Sequence, residues 1–189
     1  MIIEIIMNRS IFVAVILIFQ ALTLAGQKYY SKVGRIHFLS EAPLEKIEAS
    51  NNSAYVVLDA KTGVFEWSVL IKGFQFAKDL MQTHFNENYM ESHTYPKGLF
   101  KGNITNMNEI KLSQDGSYKA NVKGELTLHG VTKPLTTSGL ITVKGGKITA
   151  SSTFEVVVAE YNIEIPKVVK DNIAKTVKVT VGADLLPLK

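Results

Sequence analysis

The stretch Tyr118-Lys119-Ala120-Asn121-Val122-Lys123-Gly124-Glu125-Leu126-Thr127-Leu128-His129 changes character at every step. Tyr118, Ala120, Val122, Gly124, Leu126 and Leu128 fall on one side of an extended chain, and Lys119, Asn121, Lys123, Glu125, Thr127 and His129 on the other. A period of two marks a strand with one face buried and the other in water. A helix would need its apolar residues three and four apart.

The same alternation recurs along the chain. Phe65, Trp67, Val69 and Ile71 oppose Glu66, Ser68 and Lys72. Ile148, Ala150, Ser152, Phe154, Val156 and Val158 oppose Thr149, Ser151, Thr153 and Glu155. Val177, Val179, Val181, Ala183 and Leu185 oppose Lys178, Thr180 and Asp184. Shorter runs lie at 35–41, 54–60, 99–105 and 134–143. Turn chemistry separates them at Asp115-Gly116, Lys61-Thr62-Gly63 and Gly145-Gly146, giving about eight strands. Residues 77–90 break the pattern: Leu80, Met81, Phe85 and Tyr89 stand near helical spacing, so a short helix is expected within a long connection. Residues 162–172, around Pro166, are irregular.

Long one-sided strands leave unpaired edges unless the sheet closes or stacks on another. The expected fold is all-β, an antiparallel eight-stranded barrel, with a two-sheet sandwich as the alternative. Lys119, Lys123 and Glu125 share one face of one strand. Packing such charges inside a narrow barrel would cost several kcal/mol each unless they were paired. The apolar face therefore points inward, the opposite of a membrane barrel with a polar lumen.

The inward set mixes bulky Phe65, Trp67, Tyr118 and Phe154 with small Ala120, Gly124, Gly139, Ala150 and Ser152. Small residues inside a barrel leave room for a ligand. They also permit bending and fill a taper. The pattern leaves both readings open.

The composition narrows the function. The chain has 189 residues, 46% hydrophobic and 20% charged, enough to bury a core. A scattered net charge of +4 lacks the clustered basic face that nucleic acid requires. The absence of cysteine removes disulfides, thiolate metal sites, cysteine nucleophiles and a lipid-acceptor thiol.

Residues 11–19 are an unbroken apolar run, preceded by Asn8-Arg9-Ser10 and followed by Thr23-Leu24-Ala25-Gly26. That order fits a cleaved signal peptide over residues 1–26, with Met7 a candidate start because Glu4 is awkward in a basic leader. The rival is a membrane anchor, but Gln20 interrupts a segment shorter than the roughly 20 residues a span needs. Residues 27–189 are then the barrel domain, periplasmic or secreted, with no integral membrane span after processing.

Chemical constellations are sparse. His84 and His93 share a polar stretch with Glu87 and Glu91, at spacings that match no zinc motif. They define a metal or hydrolytic protein as the weaker alternative, behind that of a packed-barrel structural or partner-binding protein without ligand. No nucleophile elbow or phosphate-binding loop occurs, and no catalytic or metal-binding residue is expected. Asn51-Asn52-Ser53 and Asn103-Ile104-Thr105 fit glycosylation sequons, to which no role is assigned. In His129–Pro134 the chain reads as a hairpin connection, with Gly130 supplying unusual φ and Pro134 opening the next strand. His129 is given a structural role.

Three blocks carry a family resemblance. Gly124-Glu125-Leu126-Thr127-Leu128-His129-Gly130-Val131-Thr132-Lys133-Pro134-Leu135 resembles the signature region of the YceI-like family. Tyr95-Pro96-Lys97-Gly98-Leu99-Phe100-Lys101-Gly102 is similar to its "KYP…F" block, and Ala159-Glu160-Tyr161-Asn162-Ile163 to its "DF-x-I" block. The resemblance covers roughly residues 33–186. It implies a lipocalin-like extended barrel, exported, holding a polyisoprenoid or another long amphiphile, and so favours a cavity over a packed interior. Glu160-Tyr161 departs from the family's Asp-Phe, which adds a hydroxyl.

The expected ligand-binding residues are Phe65, Trp67, Val69 and Ile71, with Tyr118, Val122 and Leu126 from the next long strand and Phe154 and Val156 from a third. Phe74, Phe76, Leu80, Met81 and Phe85 are expected at the barrel mouth, as lid or plug, together with Tyr161. No cofactor is expected beyond a bound isoprenoid or fatty-acid-like lipid. The expected partner is that small amphiphile, with a homodimer compatible and nucleic acid excluded.

Overall fold

Alternating sequence becomes a closed antiparallel wall. The structure, a computed structural model, describes residues 28–188, so the expected signal segment lies outside the described residues. The long strands are β1 (Lys28–Glu41), β2 (Lys46–Asp59), β3 (Val64–Leu70), β5 (Lys97–Ile104), β6 (Gly116–Leu128), β7 (Val131–Lys144), β8 (Lys147–Val157) and β9 (Thr176–Pro187). Their order is β1-β9-β8-β7-β6-β5-β3-β2, and pairing of β1 with β2 closes the ring. A two-residue strand, β4 (Gln75–Phe76), adds to the side of β2, and a short α-helix, α1 (Asp79–His84), follows it.

The inward face is the apolar one. On β6, Ala120, Val122 and Leu126 are buried while Lys119, Lys123 and Glu125 are exposed. Closure satisfies the backbone groups that a sandwich would leave along its edges. Strands β1 and β2 begin earlier than their sequence pattern suggests. In β1 the register slips between Ser31 and Gly34 and again between Gly34 and Ile36, and each bulge resets the alternation. In β2 the polar Asn51 is fully buried: its amide donates to Leu70 O at 3.0 Å and its carbonyl accepts from the Ser53 N–H at 2.9 Å. A buried amide bonded at both ends is a stable core element, and it places this first sequon out of reach.

Two tight hairpins fix the register of the middle strands. His129 (φ +48°) and Gly130 (φ +73°) join β6 to β7, and Gly145 (φ +55°) and Gly146 (φ +77°) join β7 to β8. Positive φ at both loop residues matches the twist of the flanking strands. The first loop is thus only two residues long, and the expectation that Pro134 opens the next strand is corrected. Pro134 lies inside β7, opposite Glu125. With Leu128–Val131 closing the hairpin, bonded and non-bonded pairs alternate, and Glu125–Pro134 is a non-bonded pair. The nitrogen of Pro134 therefore points away from β6, towards β8.

That side of β7 is unusual. β7 pairs with β6 from Gly116–Val143 to Leu128–Val131, but with β8 only from Lys144–Lys147 to Gly139–Ser152. β8 continues to pair with β9 as far as Val157–Thr176. Above Gly139 and Ser152 the wall is therefore split into a slot.

The two barrel ends differ. One is closed by the β5–β6 connection, where Ile104 and Ile110 are buried and the Tyr118 hydroxyl donates to Gln114 O at 3.0 Å. The other carries the long connections 71–96 and 158–175. The helical segment expected over 77–90 is α1 followed by a wider π-type turn, Phe85–Tyr89.

Candidate functional site

A cavity of about 580 Å³ runs down the barrel axis. Its wall is built from inward positions: Phe65, Trp67 and Val69 of β3, Val122 and Leu126 of β6, and Phe154 and Val156 of β8. It extends along β6 from Leu128 to Ala120, about 27 Å of strand. Ala120, Gly139, Ala150 and Ser152, four of the small inward residues, border it. Gly124 does not. A Cβ there would stand 2.6 Å from Phe100 Cζ and 2.3 Å from Lys101 O, so this glycine makes room for the Phe100 ring instead of a ligand.

At the open end, Phe38, Phe74, Phe76 and Phe85 form an aromatic cluster with ring centroids 5.0 to 5.8 Å apart. Tilted, edge-on and stacked rings at this spacing add cohesion beyond their buried area. Phe74 is buried, whereas Leu80 on α1 is two-thirds exposed. The cluster and Met81 line the cavity, so these residues both cover the barrel and border its void.

A small polar group completes the mouth. Lys78 Nζ is 3.9 Å from Glu45 Oε1, and Asn172 donates to Glu45 Oε2 at 3.2 Å. The Ser40 hydroxyl accepts from the Ala174 N–H at 2.9 Å, and Leu44 N–H donates to Asp171 O at 3.0 Å. These bonds tie the β1–β2 hairpin to the 158–175 connection. Tyr89 also faces the void, and burial pushes its phenol pKa up, keeping it neutral.

All the expected ligand-binding residues border this cavity except Tyr118 and Tyr161. Tyr118 stands at the closed end, below the void. Tyr161 is buried beside the β6–β7 hairpin, where its carbonyl lies 3.1 Å from His129 Nδ1. The His129 ring meets Tyr95 edge-on at 4.5 Å, and its Nε2 is 3.4 Å from Glu91 Oε1. A Cβ on Gly130 would come within 2.6 Å of the Tyr95 ring. Tyr95, His129-Gly130 and Tyr161 thus meet in one clasp at the barrel rim. The structure brings His129 a carboxylate that sequence spacing does not reveal, with the half-buried Tyr95 ring and the backbone carbonyl of buried Tyr161 completing its surroundings.

The other histidines do not converge. His84 borders the cavity, while His93 lies against Lys72, its Nε2 3.3 Å from Nζ. Among the described residues no three His, Asp or Glu side chains form a group able to hold a metal. Sequence reasoning missed Ile36 and Phe38 of β1 and the Ile163, Ile165, Val169 and Ile173 stretch, all of which border the cavity. Ile163 and Ile165 do alternate, but Pro166 and the short 3-10 turn at Lys167–Val169 end the run before a strand is legible. What the geometry offers chemically is a long, apolar, partly covered chamber with polar groups at its rim.

Over residues 33–185 the chain matches the YceI-like domain family. Its fold is similar to that of a polyisoprenoid binding domain from Saccharophagus degradans implicated in plant cell wall breakdown, with a TM-score of 0.73 at 13% identity, covering 86% of this chain and 99% of that one. It is also similar to BcnA of Burkholderia cenocepacia, with a TM-score of 0.65 at 17% identity, covering 81% of this chain and 96% of that one. No curated protein sequence matches the chain. The protein belongs to the YceI-like family.

Proposed function

We propose that this protein is exported and encloses one long apolar or amphiphilic chain, of the polyisoprenoid or fatty-acid kind, inside its barrel. The observation that carries the reading is the continuous apolar void along the barrel axis. A barrel that served only as a packed scaffold would fill that axis with side chains. Burying about ten methylenes there contributes roughly 8 kcal/mol before the costs of association. The family supports the same reading, since the Saccharophagus neighbour is described as a polyisoprenoid binding domain. Among the described residues no helix is long and apolar enough to cross a membrane. The role is sequestration and not catalysis: the cavity-lining side chains are overwhelmingly hydrocarbon, and of the four histidines His84 alone borders the cavity.

Native mass spectrometry of the purified protein, followed by organic extraction, tests this. One co-purified amphiphile per chain is expected, as is stoichiometric uptake of a long-chain isoprenoid alcohol after delipidation. A chain that is empty and refuses isoprenoid alcohols and fatty acids alike would overturn the reading.

A further inference from the structure

Where the β7–β8 ladder ends, at Gly139–Ser152, the cavity lies directly against the barrel wall. Leu140 and Ser151 are outward-facing partners just below the split, yet both border the cavity, so the void extends to the thickness of the wall there. Inside the split stand Leu135 and Thr137 of β7 and Phe154 and Val156 of β8. The clasp of His129 with Tyr161 lies at its upper end, and Gly139–Ser152 is the last pair at its lower end.

The edges of this slot are polar, unlike the chamber behind it. By the alternation set at the hairpin, the backbone groups of Thr132, Thr136 and Ser138 face the slot, as does the carbonyl of Pro134. One of these carbonyls, Ser138 O, accepts from the Ser152 hydroxyl at 2.8 Å. The others make no ladder pair with β8, whose pairing to β7 ends at Gly139–Ser152. Backbone groups in such a position require a polar partner. At the mouth the situation is reversed: Glu45, Asn172 and Ser40 are already hydrogen-bonded to one another or to nearby backbone, and Lys78 stands 3.9 Å from Glu45.

We propose that the polar end of the bound amphiphile sits in the β7–β8 slot, with its apolar chain in the barrel, and that this end is an uncharged hydrogen-bonding group such as a hydroxyl, carbonyl or amide. The inference rests on the lipid-holding reading above. The polar side chains at the slot that border the cavity are the neutral hydroxyls of Thr137, Ser151 and Ser152, while Glu155 of β8 is exposed on the outer face. The cavity's own lysine, Lys78, is at the mouth, and Lys133 of β7 does not border the void. A phosphate in the slot would therefore meet hydroxyls and amides but no cation from the cavity wall.

A long-chain isoprenoid alcohol carrying a diazirine beside its hydroxyl, irradiated in complex with the unaltered protein, locates the polar end by peptide mapping. Adducts are expected in 131–138 and 151–157. Adducts concentrated in 42–46, 78–85 or 167–173 would place it at the mouth and overturn the proposal. The isoprenyl phosphate of the same chain length should bind at least fivefold more weakly, and equal or tighter binding would overturn the uncharged assignment. As an independent variant, Thr136→Cys with Glu155→Cys continues the Gly139–Ser152 register on the outer face. Tying these two positions by oxidation, or by a short bis-maleimide, should weaken alcohol binding at least tenfold relative to the untied form, and unchanged affinity counts against the slot. If the unaltered protein binds neither isoprenoid alcohols nor fatty acids, the lipid-holding reading itself fails and the slot assignment falls with it, whereas binding of a fatty acid but of no isoprenoid alcohol overturns the uncharged-end assignment alone.

Discussion

The rim clasp and the cavity wall are built from the same barrel but obey different rules. The clasp joins Tyr95, His129-Gly130 and Tyr161 through a ring contact, a hydrogen bond and a positive-φ turn. Each of these parts demands a particular residue. The wall demands only that inward positions be apolar and that some be small. Within the blocks that make the chain resemble its family, Tyr95, His129, Gly130 and Tyr161 hold the barrel rim and do not border the void, while Phe100, Leu126, Leu128, Leu135 and Ile163 of the same blocks do. One motif can thus carry both a clasp residue and a cavity-lining residue, and only the first demands a particular side chain.

The comparison breaks most visibly at Gly130. Its φ of +73°, and a Tyr95 ring that would stand 2.6 Å from any Cβ placed there, leave no room for a β-branched residue. Gly130→Val is expected to cost about 3 kcal/mol or more in stability, through backbone strain and loss of the ring contact. Ligand affinity of the fraction that remains folded should change little. Urea denaturation paired with lipid titration below the melting range checks both, and a loss of affinity without a loss of stability would show that the clasp is part of the binding site.

The wall should respond in the opposite sense. Ala150 borders the void from β8. Ala150→Phe is expected to fill part of the chamber, lowering isoprenoid affinity at least 30-fold while Tm stays level or rises by a few degrees. Filling a void restores dispersion contacts that the lining lacks, whereas the same ring in a packed core would force strain of about 1–3 kcal/mol. A sharp fall in Tm would mean that the space is not free.

Phe38 lies between the two regimes. It meets Phe74, Phe76 and Phe85 and also borders the cavity. Phe38→Ala should cost about 2 kcal/mol, below the usual range for a fully buried ring because this one is only partly buried. Affinity should fall roughly three- to tenfold, since the void gains an open side. An effect on stability alone would make the cluster a plug, and an effect on affinity alone would make it a lid.

How far the sequence reveals this division follows from the physics. Period-two alternation is local, so β6, β8 and β9 and their inward faces could be read directly. The β1 bulges break parity, and Asn51 satisfies its amide through Leu70, a partner distant in sequence, so the first two strands were only half legible. The cavity wall was largely legible because inward alternation is what makes a wall. Alternation does not separate Gly124 and Tyr118 from the positions that border the void, because a glycine that admits a neighbouring ring, or a tyrosine below the void, has the same period as one that borders it. The slot could not be read, because strand pairing on the second side of β7 leaves no mark on β7 beyond Pro134.

The smallest expected effect is at Tyr161, where this chain carries a hydroxyl in a block that otherwise resembles a phenylalanine-bearing motif. The contact to His129 comes from the Tyr161 backbone carbonyl, so Tyr161→Phe leaves the clasp intact, and stability near pH 7 should change by no more than about 0.5–1 kcal/mol. Alkali separates the two proteins. Burial, with a smaller contribution from Glu160, pushes the Tyr161 phenol above its ordinary value. A group whose pKa is raised in the folded state contributes stability below its unfolded value, about 10 for tyrosine, and loses it as pH rises through the folded value. The unaltered protein should therefore lose stability above about pH 10 in part through this residue, and Tyr161→Phe should lose less. Tyr29 and Tyr89 are raised by burial as well and contribute the same slope to both proteins, so the difference between the two isolates Tyr161. Urea midpoints compared at about pH 8 and about pH 10.5 measure it. A gap that stays constant between those two values would mean that the Tyr161 phenol is as free to ionise in the barrel as in the unfolded chain.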